Sequence, residues 1–383
     1  MAQGGIPSAV PIQNLSANIL KHAGLINRKY TMTKKDRLMT ALRGNKPDQI
    51  PFTIYKWILE NVDSADAERL LGKGLIPIDS VKIFKEIPDD TINIQIVENG
   101  AGKDKRFSTT IETPLGSIHE EYKYEEMFGS KWIDEHFIKN ADDMSIMKYV
   151  FDHTIIEENF EEYKKALKEM GDNGIVLGEI IPVPITWLWV NYMGVEVWSE
   201  ALYFHTEIFN SLHESLLNLY RQQIELAAVS PAEVIWFGDN VTGTVISPKI
   251  YKTYCVPVYN EVSKPLKKNG KLSLAHYDGE NLVLKDLIAG AKLDIMEAFT
   301  PPPMERMTVK EAREAWPDKV LSLNFPGNVY TEKDSVIRNY TSTYIKEAGD
   351  PSGFIIGCTE EFDFSTFGRA FDVIADVING MAK

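Results

Sequence analysis

Residues 271–280 read KLSLAHYDGE, a short apolar run that ends in polar side chains able to contact a ligand. The same pattern recurs as GIVLGE (174–179), EVIWFGDN (233–240), LDIMEA (293–298), VLSLNFPGN (320–328) and GFIIGCTEE (353–361). Each run is rich in β-branched or aromatic residues and too short for a helix, which is typical of a strand buried on both faces. The recurrence therefore predicts a parallel sheet.

Amphipathic stretches of helical length separate most of these runs, for example Tyr203–Ala228, Lys249–Asn269 and Thr331–Ala348. Strands that alternate with helices indicate βαβ units. In a (β/α)8 barrel the carboxyl ends of the strands converge on one rim, and active sites lie there. The sequence therefore predicts an α/β protein, a (β/α)8 barrel with its active site at the mouth.

The first half of the chain is less regular. Residues 1–30 are predicted to be an extension with a short helix at Leu15–Ala23, and residues 31–383 to form a single barrel domain. A first helix follows Thr33 as N-cap and ends before Gly44, which favours a helix stop. The first two barrel strands are expected at Gln49–Tyr55 and within Leu75–Phe84.

Residues 91–138 interrupt the α/β alternation. TINIQIVENG, RFSTTIETPLG and SIHEEYKYEEM alternate with period two and are separated by turn residues. This pattern predicts an antiparallel hairpin or meander, inserted before a helix at Glu157–Met170 and covering part of the rim.

Composition narrows the class of protein. The chain has 383 residues, of which 44% are hydrophobic and 25% charged, and a net charge of −14 argues against a nucleic-acid partner. No apolar run is long enough to span a membrane, and the first residues lack the pattern of a secretory signal. Two cysteines, Cys255 and Cys358, cannot form a disulfide framework. These features predict a cytoplasmic protein.

Several short motifs together resemble one family. They are TKKDRLMTALRGNKPDQIPF at 33–52, TPLGSI at 113–118, GDN at 238–240, the His-x-Asp-Gly at 276–279 and the late GCTEE. In this order they resemble the uroporphyrinogen decarboxylase superfamily, and more closely its corrinoid-linked methyltransferase branch. The resemblance covers residues 31–383. It implies a (β/α)8 barrel with chemistry at the mouth.

Two branches of the family need to be separated. True decarboxylases carry an arginine-rich segment after the first strand, which grips substrate carboxylates. Here the corresponding stretch, Tyr55–Asp63, contains no arginine. A substrate with several carboxylates would also meet an acidic rim, so the sequence favours the methyltransferase branch.

The methyltransferase branch commonly holds zinc through a His-x-Cys pair and a later cysteine. His276 and Cys358 match this pattern, but Asp278 stands at the middle position. Residues i and i+2 face the same side of a strand, so His276 and Asp278 can share one site. The predicted metal set is therefore His276, Asp278 and Cys358, which is less suited to a thiol acceptor than a Cys2His set. Alternatively, Cys358 is a small buried hydrophobe.

Other rim residues are candidates for substrate contacts. Glu179, Asp239 and Glu297 end predicted strands, and each is a candidate acid, metal ligand or helix cap. The segment 182–194 carries aromatic residues over the expected mouth, which is typical of a wall for a flat apolar ligand. The predicted catalytic residues are His276, Asp278 and Glu179; the predicted substrate-binding residues are Trp187, Trp189, Tyr192, Asp239, Asn240, Trp57, Trp236, Glu297 and Asn324.

These observations lead to a hypothesis about function. The chain is predicted to cleave a small aromatic methyl ether and to pass the methyl group to cobalt(I) of a separate corrinoid protein, because the resemblance implies a cobalamin cofactor and the sequence contains no corrinoid-binding domain. The alternatives are a tetrapyrrole decarboxylase and a methylcorrinoid:thiol methyltransferase. The direction of methyl transfer is open, and a homodimer is compatible with the sequence.

Overall fold

The computed structural model describes residues 32–100, 105–125, 130–239 and 241–381. The predicted extension, with its helix at Leu15–Ala23, and Asn240 lie outside this range. In chain order the strands are β1 (Phe52–Tyr55), β2 (Leu75–Lys82), β3 (Phe84–Pro88), β4 (Asn93–Asn99), β5 (Arg106–Thr113), β6 (Gly116–Glu125), β7 (Ser130–Glu135), β8 (Thr154–Glu158), β9 (Ile175–Ile180), β10 (Val234–Phe237), β11 (Leu272–His276), β12 (Ile295–Phe299), β13 (Val320–Asn324) and β14 (Phe354–Cys358).

Eight parallel strands close into a barrel in the order β1-β14-β13-β12-β11-β10-β9-β2. The strands that follow β9 are almost wholly buried, because helices cover their outer face and side chains fill the interior. The predicted (β/α)8 barrel is confirmed, and each of the six quoted runs supplies one of its strands.

Helices surround this barrel. The α-helices are Lys34–Leu42, Lys56–Leu59, Ser64–Gly72, Ala141–Asp152, Phe160–Met170, Pro184–Trp187, Gly194–Phe204, Thr206–Val229, Pro248–Ile250, Val256–Lys268, Lys285–Gly290, Val309–Ala315, Asp334–Ala348 and Phe367–Met381. Leu188–Met193 and Tyr251–Cys255 are π-helical, and four short segments of the described ranges are 3₁₀ helices: Gly171–Asn173, Leu282–Leu284, Gly327–Val329 and Phe364–Thr366. No helix among the described residues is long and apolar enough to cross a membrane.

The first helix begins and ends as predicted. The Thr33 hydroxyl accepts a hydrogen bond from the Asp36 backbone N–H, so Thr33 is the N-cap. Gly44 has φ 73°, a conformation that glycine adopts without the steric cost of a Cβ atom, and it ends the helix. Two features of the sequence thus mark the two ends of this helix.

The inserted segment forms a four-stranded antiparallel meander in the order β4-β5-β6-β7. Its β6 packs on the helix Ala141–Asp152. Burial raises the pKa of Glu361, and the carboxylates of Glu360 and of Glu125, at the end of β6, add to that shift. The period-two pattern therefore identified the insertion and its antiparallel pairing.

Three predicted elements differ from the structure. The helix expected at Glu157–Met170 starts at Phe160, because Glu157 and Glu158 belong to β8, which pairs with β3. The stretch Tyr203–Ala228 is divided at His205 between two helices. The first barrel strand is shorter than predicted, since β1 begins at Phe52.

Candidate active site

The barrel mouth holds an imidazole fixed by a carboxylate. His276 ends β11 and Glu297 lies beside it in β12, since the two residues are in register. The His276 Nδ1–H donates to Glu297 Oε2 at 2.7 Å, and the Tyr55 hydroxyl donates to Glu297 Oε1 at 3.0 Å. Because Tyr55 comes from β1, three strands contribute to this chain of hydrogen bonds. The arrangement turns Nε2 of His276 toward the mouth.

Two further carboxylates face that nitrogen. His276 Nε2 lies 3.2 Å from Glu360 Oε1 and 3.8 Å from Asp278 Oδ1. Burial alone would lower the pKa of His276, but Glu297, Glu360 and Asp278 outweigh it and raise this pKa well above its usual value. In the absence of another cation, these carboxylates therefore favour the protonated form of His276. Burial also raises the pKa of Asp278, while His276 opposes that shift.

The backbone is irregular directly after Glu297. Ala298 has φ 60°, and the pairing of β12 with β13 shifts register between Met296 and Phe299. A positive φ at a residue other than glycine costs roughly 1–3 kcal/mol, and such strain is concentrated at functional sites. A bulge of this kind re-aims neighbouring side chains. The bulge therefore lies directly beside Glu297, whose carboxylate contacts both His276 and Tyr55.

The loop after His276 depends on a glycine. A Cβ atom added to Gly279 would lie 2.4 Å from the Thr242 Cβ, so no larger residue fits there without movement. The Asn281 side chain donates to the carbonyls of Tyr277 and Gly279, which holds the loop in shape. The His-x-Asp-Gly motif therefore combines two polar side chains at the mouth with the turn that presents them.

Cys358 does not join this group. Tyr55 points into the barrel, so its strand neighbour Ile54 points outward, and Cys358 is in register with Ile54. The thiol donates to the Glu360 backbone carbonyl at 3.6 Å, and burial raises its pKa to about 12. The predicted metal set of His276, Asp278 and Cys358 is therefore not brought together. Glu360, which follows the end of β14, lies near His276 and Asp278 in its place.

Glu179 lies at another part of the mouth. It lies next to the last residue of β9, in register with Lys82 of β2, and its carboxylate accepts a hydrogen bond from the Ser80 hydroxyl at 3.2 Å. Burial raises the pKa of Glu179, whereas Lys82 and Ser80 oppose that shift. Glu179 also raises the pKa of Tyr55, after the larger effects of burial, Glu297 and Glu360.

Two side chains that were predicted to contact the substrate are hydrogen-bonded to other groups of the protein instead. Asp239 is fully buried; it accepts from the Val183 N–H at 2.5 Å and from the Tyr259 hydroxyl at 2.6 Å. Burial raises its pKa to about 7. The Asn324 amide donates to Thr300 and accepts from the Thr359 N–H. Both side chains hold loops in place, which is a positioning role.

Aromatic side chains flank the imidazole. The Trp236 ring stands edge-on to His276, with centroids 6.4 Å apart, and lies 6.2 Å from the Tyr55 ring. Trp187 and Tyr192, on the helical segments after β9, meet edge-to-face at 6.3 Å. Trp57 is half-buried on the short helix directly after β1.

Two indoles in this region carry unsatisfied donors. The N–H groups of Trp189 and Trp236 are buried and find no acceptor among the described residues. A buried donor without a partner costs roughly 1–3 kcal/mol. A ligand oxygen that accepted from either group would recover part of that free energy.

The mouth also has donors that fit a divalent cation. One nitrogen of His276 and one carboxylate oxygen each from Asp278 and Glu360 lie within 4.8 Å of one another. Imidazole nitrogen and carboxylate oxygen are ligands for Zn²⁺ and for harder divalent ions. The side chains therefore fit a metal in type and spacing, although the set lacks the sulfur ligands that the resemblance implied.

Comparisons with known proteins agree with the fold. The uroporphyrinogen decarboxylase (URO-D) family model matches residues 127–361. A solved methyltransferase from Methanosarcina mazei is similar in fold, with a TM-score of 0.57 and 12% identity over 92% of this chain and 100% of that one. The pneumococcal exo-β-D-N-acetylglucosaminidase StrH gives a TM-score of 0.38 and 12% identity over 88% of this chain and 85% of that one. No curated protein sequence matches. Because the family model covers more than half of its residues, this chain belongs to the uroporphyrinogen decarboxylase family.

Proposed function

We propose that this protein demethylates a methoxylated aromatic compound of the guaiacol or veratrole type and passes the methyl group to cobalt(I) of a corrinoid on a separate protein. Family membership and the fold likeness to a methyltransferase support methyl transfer in general. The observation that carries the narrower proposal is the hydrogen-bonded chain Tyr55–Glu297–His276, which holds an imidazole at the mouth beside the Trp236 indole.

The reaction is an in-line displacement in which the corrinoid is the acceptor substrate. The methyl C–O bond breaks with its electron pair going to oxygen, while cobalt(I) supplies the electron pair of the new Co–C bond. The departing phenolate takes a proton from His276 Nε2. Before this proton is transferred, the Glu297 carboxylate stabilises the imidazolium by accepting a hydrogen bond from its Nδ1–H. The products are a phenol and a methylated corrinoid, and His276 regains its proton from solvent.

The leaving group explains why an aromatic ether suits this mouth. The pKa of a phenol is about 10, whereas that of water, a guide to alkoxide leaving groups, is about 15.7. The difference of about 6 pKa units corresponds to up to about 8 kcal/mol in the transition state if it is fully expressed there. One proton donor in a partly buried site contributes about 10²–10⁴-fold, which is about 3–5 kcal/mol. A single proton donor is therefore sufficient to assist the departure of a phenolate.

The aromatic side chains support a flat substrate. Trp236 lies edge-on to the proposed proton donor, and Trp187 and Tyr192 form a second aromatic pair on the segment after β9. Aromatic rings bind one another in offset or edge-to-face geometry. The buried indole N–H groups of Trp189 and Trp236 would donate to substituent oxygens of the ring. A methoxyphenol offers both a ring and such oxygens.

The charge of the barrel mouth further restricts the class of substrate. The described residues of the mouth include the carboxyl groups of Glu179, Asp278, Glu297 and Glu360, and Lys82 near Glu179 is also close to a fifth, that of Glu86. Lys82 and a protonated His276 supply only two positive charges against these groups. One like charge at about 8 Å costs about 2 kcal/mol at an effective dielectric constant of about 20. The mouth therefore favours neutral methoxyarenes over methoxybenzoates, and it disfavours a tetrapyrrole with many carboxylates.

A direct comparison of substrates tests this proposal. We expect guaiacol to be demethylated with a kcat/KM about 10–100-fold higher than that of 4-hydroxy-3-methoxybenzoate, because one extra negative charge enters an acidic mouth. Replacing Glu179 by Gln should reduce that ratio. Phenol release is measured by chromatography with a cobalt(I) corrinoid acceptor. Equal or faster turnover of the benzoate would contradict the proposed charge selection.

If a divalent cation is bound, His276, Asp278 and Glu360 would hold it, and the ion would then take the place of the proton on His276 Nε2. The chemistry that such an ion supplies is Lewis-acid polarisation of an oxygen. The nitrogen and oxygen donors suit activation of an ether oxygen better than activation of a thiol, which disfavours a methylcorrinoid:thiol methyltransferase.

A further inference from the structure

The aromatic segment that follows β9 is attached to the barrel at its start by two buried side chains. Gln223 Oε1 accepts a hydrogen bond from the Ile181 N–H at 3.2 Å, and Asp239 Oδ1 accepts one from the Val183 N–H at 2.5 Å. Pro182, which lies between them, has no N–H to donate. Both Gln223 and Asp239 are fully buried, so these bonds are shielded from water. The backbone donors of this short stretch are thus all bonded to buried side chains.

The bond to Val183 fixes the point at which the aromatic helix begins. Val183 directly precedes the helix Pro184–Trp187, and its carbonyl accepts a hydrogen bond from the Trp187 N–H at 3.1 Å. A proline at the first helical position also restricts the backbone there. The Val183 residue is therefore held on both sides, by Asp239 through its N–H and by the helix through its carbonyl. The position of Trp187 thus depends on a buried carboxyl group behind it.

Gln223 is an unusual residue for its location. It lies within the long helix Thr206–Val229, and its Nε2 is buried and finds no acceptor among the described residues. A buried donor without a partner costs free energy, which an apolar side chain of similar size would not. The hydrogen bond to Ile181 is therefore what distinguishes a glutamine from an apolar side chain at this position.

The far end of the aromatic segment is attached to residues that follow the meander. His136 Nε2–H donates to the Val190 carbonyl at 3.3 Å, and the Ile138 N–H donates to the Tyr192 carbonyl at 2.9 Å. The imidazole nitrogen is the donor, because a carbonyl oxygen only accepts. A Cβ atom added to Gly194 would lie 3.2 Å from the His136 ring, so the ring packs closely on the end of the segment. The segment is therefore held at both ends.

The middle of the segment depends on these attachments. It is a single short helical turn followed by the π-helix Leu188–Met193, and it carries Trp187, Trp189 and Tyr192. Helical segments this short have little stability of their own. π-helical turns are rare and occur frequently at functional sites. The placement of the three aromatic rings is therefore determined by the contacts at the two ends.

We propose that Gln223, Asp239 and His136 are positioning residues, which fix both ends of the aromatic segment and thereby set the affinity for the flat substrate. The nature of that substrate rests on the proposed function, whereas the attachment of the segment does not. The proton donor His276 is held separately, through Glu297. Loosening the segment should therefore weaken substrate binding and leave the chemical step unchanged.

Hydrogen exchange without substrate tests the attachment itself. Gln223→Met keeps the length of the side chain but removes the acceptor for Ile181, and His136→Leu removes the donor to Val190. In each variant we expect the backbone amides of residues 181–193 to exchange about 10-fold faster, as mass spectrometry of the digested protein would show, because one hydrogen bond is lost. Gln222→Met is the control, since Gln222 is the exposed neighbour on the same helix.

Steady-state kinetics on guaiacol tests the positioning role. We expect Gln223→Met and His136→Leu to raise KM about 3–10-fold, the scale of a lost aromatic contact, and to leave kcat within about twofold. Quenching of tryptophan fluorescence by guaiacol measures the same loss of affinity without turnover. His136→Gln keeps an N–H donor toward Val190 and should restore most of the affinity, which a variant that merely damages packing would not.

A further variant covers the case in which Gln223→Met does not fold, as judged by circular dichroism. Tyr259→Phe removes the hydroxyl that holds the other oxygen of Asp239, and it should change exchange and KM in the same direction. Unchanged exchange across residues 181–193, or faster exchange with an unchanged KM, would overturn the proposal. So would a fall in kcat at constant KM. The exchange assay contains no substrate, so its failure is distinct from a failure to cleave aryl ethers.

Discussion

Replacing His276 by Ala is expected to lower kcat for demethylation about 10²–10⁴-fold, the usual scale for a general acid. The reason is that negative charge develops on the departing phenolate oxygen only as the C–O bond breaks. KM should change much less, because an interaction made mainly in the transition state does not contribute to ground-state binding. The rate is measured as methyl transfer to a cobalt(I) corrinoid, followed by the change in absorbance.

A series of substituted anisoles makes this test specific. Electron-withdrawing substituents stabilise the phenolate, so the loss caused by His276→Ala should shrink along the series. His205→Ala is the control, since that histidine is exposed and lies on a junction between two outer helices. A His276→Ala protein that keeps its full rate on the poorest leaving group would exclude the proposed role. Asp278→Asn, tested in parallel, separates loss of a metal ligand from loss of the proton donor.

Glu297→Gln is expected to lower kcat about 10–100-fold with little change in KM. Gln retains an oxygen that accepts the His276 Nδ1–H, but it loses the negative charge that stabilises the imidazolium or strengthens a metal-bound imidazole. Steady-state kinetics on guaiacol measures the effect. Tyr55→Phe keeps the carboxylate and removes only one hydrogen bond, so its loss should be smaller.

The control for Glu297 is a glutamate at the other end of the barrel. Glu233 immediately precedes β10 and pairs with Arg43 on the surface, so Glu233→Gln should keep the wild-type kcat. Thermal unfolding of each variant separates lost catalysis from lost stability. A folded Glu297→Gln protein with unchanged kcat would show that Glu297 has only a structural role.

The barrel could be predicted because parallel strands buried on both faces leave continuous apolar runs in the sequence. The inserted meander could be predicted because its strands keep a period of two. The predicted start of the helix before β9 was wrong, because the acidic stretch that contains Glu157 resembles a helix N-terminus. There, pairing of β8 with β3 outweighs local propensity. The helix Ala141–Asp152 was missed, and the break at His205 carries no glycine or proline signal.

The site was only partly visible in the sequence. His276 and Glu297 follow from their places at strand ends, and the structure brings them into contact. Cys358 could not be assigned correctly, because the face on which it lies depends on the register of β14 with β1. Glu360 lies two residues beyond a strand end, where no periodicity tells it from Glu361. Tyr55 was missed because a tyrosine near a strand end is common in any β-structure.

Methyl transfer from an aromatic ether to cobalt is tested by incubating the protein with guaiacol that carries a deuterated methyl group and with cobalt(I) corrinoid acceptors. The acceptors are free cob(I)alamin and corrinoid proteins from the organism that encodes this protein. We expect catechol and deuteromethyl-cobalamin in a one-to-one ratio, with none formed when the protein is omitted. Coproporphyrinogen formation from uroporphyrinogen, with no catechol released in the presence of any acceptor, would contradict it.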